Sequence, residues 1–359
     1  MTNTKPTFKK IFQQAEKKRS SSQFNEAIAL YLKAKGLCGI LPLSPSWRGR
    51  KGEDAKLSCL LALGDCYRMV GVYERAKKNY EHAHKIAVSI SDKSLAADSL
   101  VGLGLTLRGM GRHRQALKIF SKSQKIYAKP KDMAGLAFTL WAMAGAYRIK
   151  GDLKKAIETF KKAISLFTAI KDESGISYCL CGLGGASRVL GRIDDSYRYY
   201  AKANQTFRML HDTFGTAYSY CGLANATRMQ GDFKGSLKYF NKAKTHYKKI
   251  GDKVSFAYTL WGEGTAFKMM SRLPEARRDF LYAQQLFKET RDERGLSYCE
   301  LYLGELEFLK GGRAKAMLLF KKALKRATRF SFAVEIKYAN RLLHALKSKS
   351  WERFPFNLP

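Results

Sequence analysis

The chain has 359 residues, with 66 Lys and Arg against 30 Asp and Glu and a formal net charge of +36. That surplus attracts anionic partners and repels cationic ones, so nucleic acid, acidic protein segments and anionic surfaces are the admissible ligands. No run approaches the roughly eighteen apolar residues of a membrane span, and residues 1–20 lack the apolar core of a secretory signal, so the expectation is a cytoplasmic protein with no transmembrane segment.

The first predicted unit covers residues 7–37. There Arg19, Ala27, Tyr31 and Ala34 correspond to Arg68, Ala76, Tyr80 and Ala83 once a nine-residue insertion is allowed for. The insertion falls within residues 38–52, where Pro42, Pro45, Gly49 and Gly52 punctuate a loop. From 53 to 330 the chain repeats seven times with a period of forty residues and no insertion. One column reads Gly64, Gly104, Ala144, Gly184, Ala224, Gly264, Gly304. Another reads Gly71, Gly111, Gly151, Gly191, Gly231, Ser271, Gly311. A third, Ala76, Ala116, Ala156, Ser196, Ser236, Ala276, Ala316, is followed four residues on by Tyr80, Phe120, Phe160, Tyr200, Phe240, Phe280 and Phe320. A fixed period of this length means one stacked array, in which no unit buries its apolar face alone.

Each unit reads as two helices. Asp92, Asp132, Asp172, Asp212, Asp252 and Asp292 are expected N-caps, because a carboxylate there accepts from an orphan amide of the first turn. Leu136, Leu140, Met143, Ala144 and Tyr147 form one apolar stripe, and Gly151 ends that helix. Ala156, Phe160, Ala163 and Phe167 form the stripe of the second helix. Residues 332–347 read as a solvating cap helix. The apolar tail with Trp351, Phe354, Pro355, Phe356 and Pro359 is expected to fold back onto the last hairpin, the alternative being contact with a partner. The domain reading is an offset repeat and loop at 1–52, seven repeats at 53–330, and a cap helix with aromatic tail at 331–359.

Chemistry-bearing motifs are sparse. Cys59, Cys179 and Cys299 share a column with Ser99, Thr139, Ser219 and Thr259, so they read as small packing residues. Cys181 and Cys221 are equivalent residues of adjacent units, ~10 Å apart at ordinary helix spacing and too far for a disulfide. A metal pair at Cys179 and Cys181 would need two further ligands, and no histidine has the spacing. There is no nucleophile–base motif and no phosphate-cradling glycine loop. The expectation is a non-catalytic protein without cofactor or metal.

The run Leu140, Met143, Ala144, Tyr147, Gly151, Ala156, Phe160, Ala163 resembles the tetratricopeptide repeat family, and the match recurs in register over 53–330. The forty-residue length exceeds that family's norm and is similar to the repeats of Pins-type polarity adaptors and, loosely, kinesin light chain. The usual closing proline is absent at most units. The resemblance implies an all-α, right-handed α-solenoid of about eight helix–turn–helix repeats with a terminal cap helix. It also implies that first helices line a concave groove.

On that reading the groove carries Arg68, Arg108, Arg148, Arg188, Arg228 and Lys268 along one edge. Tyr178, Tyr218 and Tyr258, with Phe138 and Tyr298, provide aromatic rings, and a further column contains Trp141, Cys181, Cys221 and Trp261. Small residues open the floor at Gly145, Gly185 and Asn225. A second reading of the cations stands beside this one: each lies in the last turn of its helix, where the dipole favours it by ~0.3–1 kcal/mol. Persistent Arg rather than Lys argues for a flat bidentate fork. Lys154, Lys155, Lys161 and Lys162 read as solvated outer face. The functional expectation is a scaffold holding an acidic segment of a partner protein in a basic, aromatic groove. The alternative is single-stranded RNA, with tyrosines stacking bases and Arg188, Arg228 and Lys268 on phosphates. Glu300, Glu305 and Glu307 reverse the sign at one end; they would orient a ligand or receive the basic segment from Lys5 to Arg19 of another copy.

Overall fold

The computed structural model describes residues 7–38, 50–128, 132–348 and 354–358, and all regular structure among them is α-helix. A hairpin of α1 (Phe8–Ser20) and α2 (Phe24–Leu37) leads into seven two-helix units. The first four are α3 (Arg50–Met69) with α4 (Tyr73–Ser89), α5 (Lys93–Gly109) with α6 (His113–Ala128), α7 (Met133–Lys150) with α8 (Leu153–Ala169), and α9 (Glu173–Val189) with α10 (Ile193–Met209). Then come α11 (Thr213–Met229) with α12 (Phe233–Ile250), α13 (Lys253–Met269) with α14 (Leu273–Thr290), and α15 (Glu293–Leu309) with α16 (Arg313–Phe330). The last helix is α17 (Ala333–Lys347). Each helix packs on the next, and from α3 onward the first helix of each unit also touches that of the following one. This is an α-solenoid. No helix among the described residues is long and apolar enough to cross a membrane.

Local chemistry sets the helix ends. Asp92, Asp132, Asp172, Asp212, Asp252 and Asp292 each accept a hydrogen bond from the backbone amide three residues on. Gly151 closes α7 in the left-handed region at φ 89°, ψ 5°. Where that column lacks glycine, Ser271 takes the same left-handed turn at φ 60°, at a cost of ~1 kcal/mol.

Packing between units depends on one ring per repeat. A Cβ built on Gly102 would fall 2.1 Å from the Tyr80 ring, one on Gly182 2.2 Å from Phe160, and one on Gly222 2.1 Å from Tyr200. Each of these rings sits on the small residues of its own unit and on a glycine of the next. The result is a continuous core running from Ala15 to Ile250 and a second from Ala257 to Leu358. Burying a ring such as Phe240 contributes ~1.5–3 kcal/mol.

The solenoid curls until its two ends meet. Gly71, after α3, lies against Val254 and Thr290, with a built Cβ 3.0 Å and 3.1 Å from their nearest methyl groups. Gly111 lies under the Phe332 ring, and Gly151 meets Ala333 at the start of α17, which touches α7. The concave face is therefore enclosed. The 354–358 segment is tucked into this interior, against α11, α13 and α15 rather than the last hairpin alone.

Candidate functional site

Enclosure turns the concave face into a channel. A cavity of about 340 Å³ is walled by first-helix side chains contributed by every unit from α3 to α15. Arg68, Arg108, Arg148 and Arg188 line it, as do Trp141, Tyr178, Tyr218, Cys221, Asn225, Tyr258 and Trp261. Five expected residues are not on its wall, Phe138 and Gly185 among them. Cys181 is fully buried in the core, while Arg228 and Lys268 are covered by the 354–358 segment.

Three of the cations share one register, lying on the residue thirty-seven positions later in the next unit. Arg108 covers Gly145 and Arg148 covers Gly185, where a Cβ would fall 2.3 Å and 3.3 Å from the guanidinium nitrogens. Lys268 meets Glu305 at the same offset. Gly145 and Gly185 thus give room to arginines rather than opening the floor to a ligand.

The partners of the rungs differ. Arg19 is held by Glu16 at 2.7 Å, and Arg68 lies 3.6 Å from Asp65. Arg108 donates to the Ala142 carbonyl at 3.2 Å and rests over Trp141 with its guanidinium 5.3 Å from the ring centre. The Nε of Arg148 and both Nε and Nη1 of Arg188 are shielded from solvent and meet no acceptor. Among the described residues no carboxylate lies in ion-pair range of Arg108, Arg148, Arg188 or Arg228. Burial, reinforced by Arg148 and Arg68 close by, pushes the Arg108 guanidinium down to about 10, with Tyr218 offsetting part of the effect. Like charges gathered in a protein-walled space raise one another's cost and favour an incoming anion.

Arg228 is completely buried. It donates to the Asn357 side-chain oxygen, to the Leu358 carbonyl at 3.0 Å and to Asn225 at 3.4 Å, all neutral acceptors. Burial pushes it down to about 10, with Tyr302 opposing and Arg188 adding to the shift. Lys268 is equally buried, paired with Glu305, bonded to the Phe356 carbonyl at 2.8 Å and placed 4.3 Å from the Tyr302 ring centre. Burial lowers its pKa, and Glu305 offsets part of that.

The aromatic rings are already engaged. Tyr178 donates to Asp212 at 2.8 Å and Tyr258 to Asp292 at 3.2 Å, so each ties its unit to the N-cap of the next. Trp261 packs on Tyr298 and Tyr302, with centroids 4.7 Å and 5.2 Å away, and its buried indole N–H has no acceptor. Trp141 stacks on Phe138 at 5.2 Å, and Tyr218 lies along Phe214. Asn225 donates to the Cys221 carbonyl at 2.9 Å.

The acidic cluster is used internally, which corrects the expectation of a free acidic end. Glu300 pairs with Arg326 and Lys322, Glu305 with Lys268, and Glu307 with Arg277 and Lys315. Its charge is spent on neighbouring helices, leaving little to receive the basic segment of another copy; Lys5 itself lies outside the described residues, as do Trp351 and Pro359. Lys154, Lys155, Lys161 and Lys162 are exposed on α8.

Sequence reasoning missed several wall residues. Arg294 lines the channel, ion-paired to the buried Glu335 at 2.7 Å. Asp252 and Asp292 were visible only as caps, yet both reach the wall, and burial pushes the Asp292 carboxyl up to about 6. Their signal was their place in the cap column. Phe356 was visible only as part of the apolar tail, and Asn357, outside the repeat, carried no signal.

Comparison with known proteins agrees with this architecture. Tetratricopeptide-repeat models match residues 56–129 and 139–168, so the chain carries repeats of that type. No curated protein sequence gives a significant match. Among solved structures, a Rap protein complexed with Competence and Sporulation Factor is 14% identical, with 96% of this chain and 99% of that chain covered at a TM-score of 0.61. The Rap conjugation gene regulator of plasmid pLS20, solved in complex with a peptide, is 14% identical over 90% and 96% of the two chains at 0.65. The apo form of RapI is 15% identical over 83% and 99% at 0.54. At these identities the likeness is one of fold.

Proposed function

We propose that this tetratricopeptide-repeat solenoid is a non-catalytic scaffold that holds a short acidic peptide segment of a partner in its central channel. The observation that carries the reading is the run of Arg108, Arg148 and Arg188 on the cavity wall, with no carboxylate of the described residues in ion-pair range of any of them. Like charges gathered there raise one another's cost, and an incoming anion relieves it. A carboxylate suits the planar fork of a guanidinium and brings the charge that the cluster lacks. The pLS20 regulator, of the same fold, is in complex with a peptide, which supports this choice of ligand class.

The RNA alternative has less support. Base stacking needs an accessible ring face, whereas Tyr178, Tyr258 and Trp261 are turned to protein partners. The exposed lysines account for loose, salt-sensitive attraction of polyanions outside the channel.

The test is fluorescence anisotropy with labelled hexaglutamate and labelled single-stranded RNA, on wild type and on Arg148→Ala/Arg188→Ala. Hexaglutamate binding is expected to weaken roughly a hundredfold in the double variant, while any RNA binding persists unchanged. Loss of RNA binding in the double variant with the peptide unaffected would sink the reading.

A further inference from the structure

The ladder contains four consecutive rungs with no carboxylate among the described residues: Arg108, Arg148, Arg188 and Arg228. Neutralised rungs flank them, Arg68 beside Asp65 and Lys268 on Glu305. Three of the four face the channel. The fourth, Arg228, is the most deeply buried and is covered by the 354–358 segment.

That segment lies on the ladder as an extended peptide. Its Phe356 carbonyl accepts from Lys268 and its Leu358 carbonyl from Arg228, so alternate residues meet successive rungs. It runs against the repeat order, pointing toward Arg188. Phe356 and Leu358 are 5% and 2% exposed, and Asn357 between them bonds Arg228 twice, through its side-chain oxygen and by donating to the Arg228 carbonyl. This is the period-two alternation of an extended strand, one side toward the core and the other reading the rung. An axial step of ~10 Å suggests three residues per rung, whereas between Lys268 and Arg228 the segment advances by two.

Every acceptor that the segment offers Arg228 is neutral. A buried guanidinium bonded only to amide oxygens gains more from a carboxylate, because charge-assisted hydrogen bonds are stronger than neutral ones. Among the described residues the segment makes no backbone–backbone bonds with any helix, so it can leave without unwinding the solenoid, at the cost of uncovering Phe356 and Leu358 of the second core. Its further anchors include the Phe354 ring on Phe308, 4.5 Å between centroids, the Arg341 guanidinium 4.6 Å from the Phe356 ring centre, the Phe356 amide donating to Glu305 at 2.8 Å, and the Tyr302 hydroxyl donating to the Leu358 carbonyl at 3.4 Å.

We infer that residues 354–358 are a neutral internal occupant of the Arg228 rung, and that an acidic peptide long enough to reach that rung displaces them. The inference rests on the channel reading above and adds a length threshold to it. At about two residues per rung and ~3.3 Å per residue, six residues span the three open rungs, whereas ten extend onto Arg228.

Two substitutions in the full chain should act in opposite directions. Phe356→Ala loosens the segment, while Asn357→Asp gives buried Arg228 a carboxylate in cis, a charge-assisted bond that outweighs the lost donation to the Arg228 carbonyl and holds the segment down. Anisotropy with labelled decaglutamate is expected to show affinity about tenfold tighter in Phe356→Ala and about tenfold weaker in Asn357→Asp. Hexaglutamate should bind both variants as it binds wild type. Circular dichroism and Tm check that the solenoid is intact. If decaglutamate binds the folded variants and wild type equally, the segment is a fixed plug and the inference is overturned. Should neither polyglutamate bind wild type, the channel reading fails and the occupant is tested alone, by offering labelled Phe-Pro-Phe-Asn-Leu to Phe356→Ala. Binding in trans then supports a releasable occupant at this site, and absence of binding overturns it.

Discussion

Arg188 carries two shielded N–H groups with nothing to bond, and forty residues on, the two Nη groups of Arg228 meet neutral oxygens while its Nε–H stays unpaired. The same residue at the same helix position thus meets different fates, set by what lies across the channel. The acidic caps show a similar split. Asp292 caps α15, accepts from Tyr258 and is 5% exposed, and burial pushes its carboxyl up to about 6. An acid whose folded pKa is raised binds more protons in the fold than in the unfolded chain. Its contribution is therefore present at low pH and lost as pH rises from near 4 through about 6. Urea unfolding of wild type and Asp292→Asn across that window should show the wild type losing roughly 2–3 kcal/mol relative to the variant. Parallel curves would mean that the Asp292 charge is not penalised by its surroundings.

At the scale of the helix, tolerance to change depends on which ring lies opposite. Gly222 belongs to α11 and receives the Tyr200 ring, so Gly222→Ala puts a methyl where an aromatic edge already stands. The ring is held by its own unit and has nowhere to go, and the expected loss is ~1–3 kcal/mol. Gly36 in α2 has nothing within 4 Å of a built Cβ, so Gly36→Ala should be stabilising, by roughly 0.5–1 kcal/mol through helix propensity. Thermal unfolding of the two variants is expected to move Tm in opposite directions. Equal shifts would contradict the ring-on-glycine account of how units stack.

An open solenoid couples only neighbours, so a defect in one repeat is felt locally. Closure changes that here. Phe332, just before α17, sits on Gly111 and lies 6.0 Å from the His113 ring, joining the far end to the second unit. Phe332→Ala should therefore speed hydrogen exchange at the α5–α6 turn as well as around α17. Exchange confined to α16 and α17 would show that the ends touch without supporting each other. Closure also decides what enters: a cavity of about 340 Å³ is at the low end of small-ligand sites, so it admits a slender part of an extended segment and excludes a packed helix.

Periodicity by itself determined the helices, their caps and their stacking. Asp132, Gly151 and Phe160 each have a local or nearest-neighbour job, and such jobs repeat every forty residues where they can be read. It also showed which side chains share a column, so the arginine ladder and the tyrosines stood out before any fold was known. What those columns touch was decided only by tertiary structure. Curvature accumulates over many units until Gly71 meets Val254, and no single repeat encodes that meeting. The two covered rungs depend on Phe356, Asn357 and Leu358, which belong to no column and reach their partners across the closed interior. Contacts between residues this far apart in the chain, 88 positions for Lys268 and Phe356 and 130 for Arg228 and Leu358, leave no period to read, because nothing in the chain repeats them.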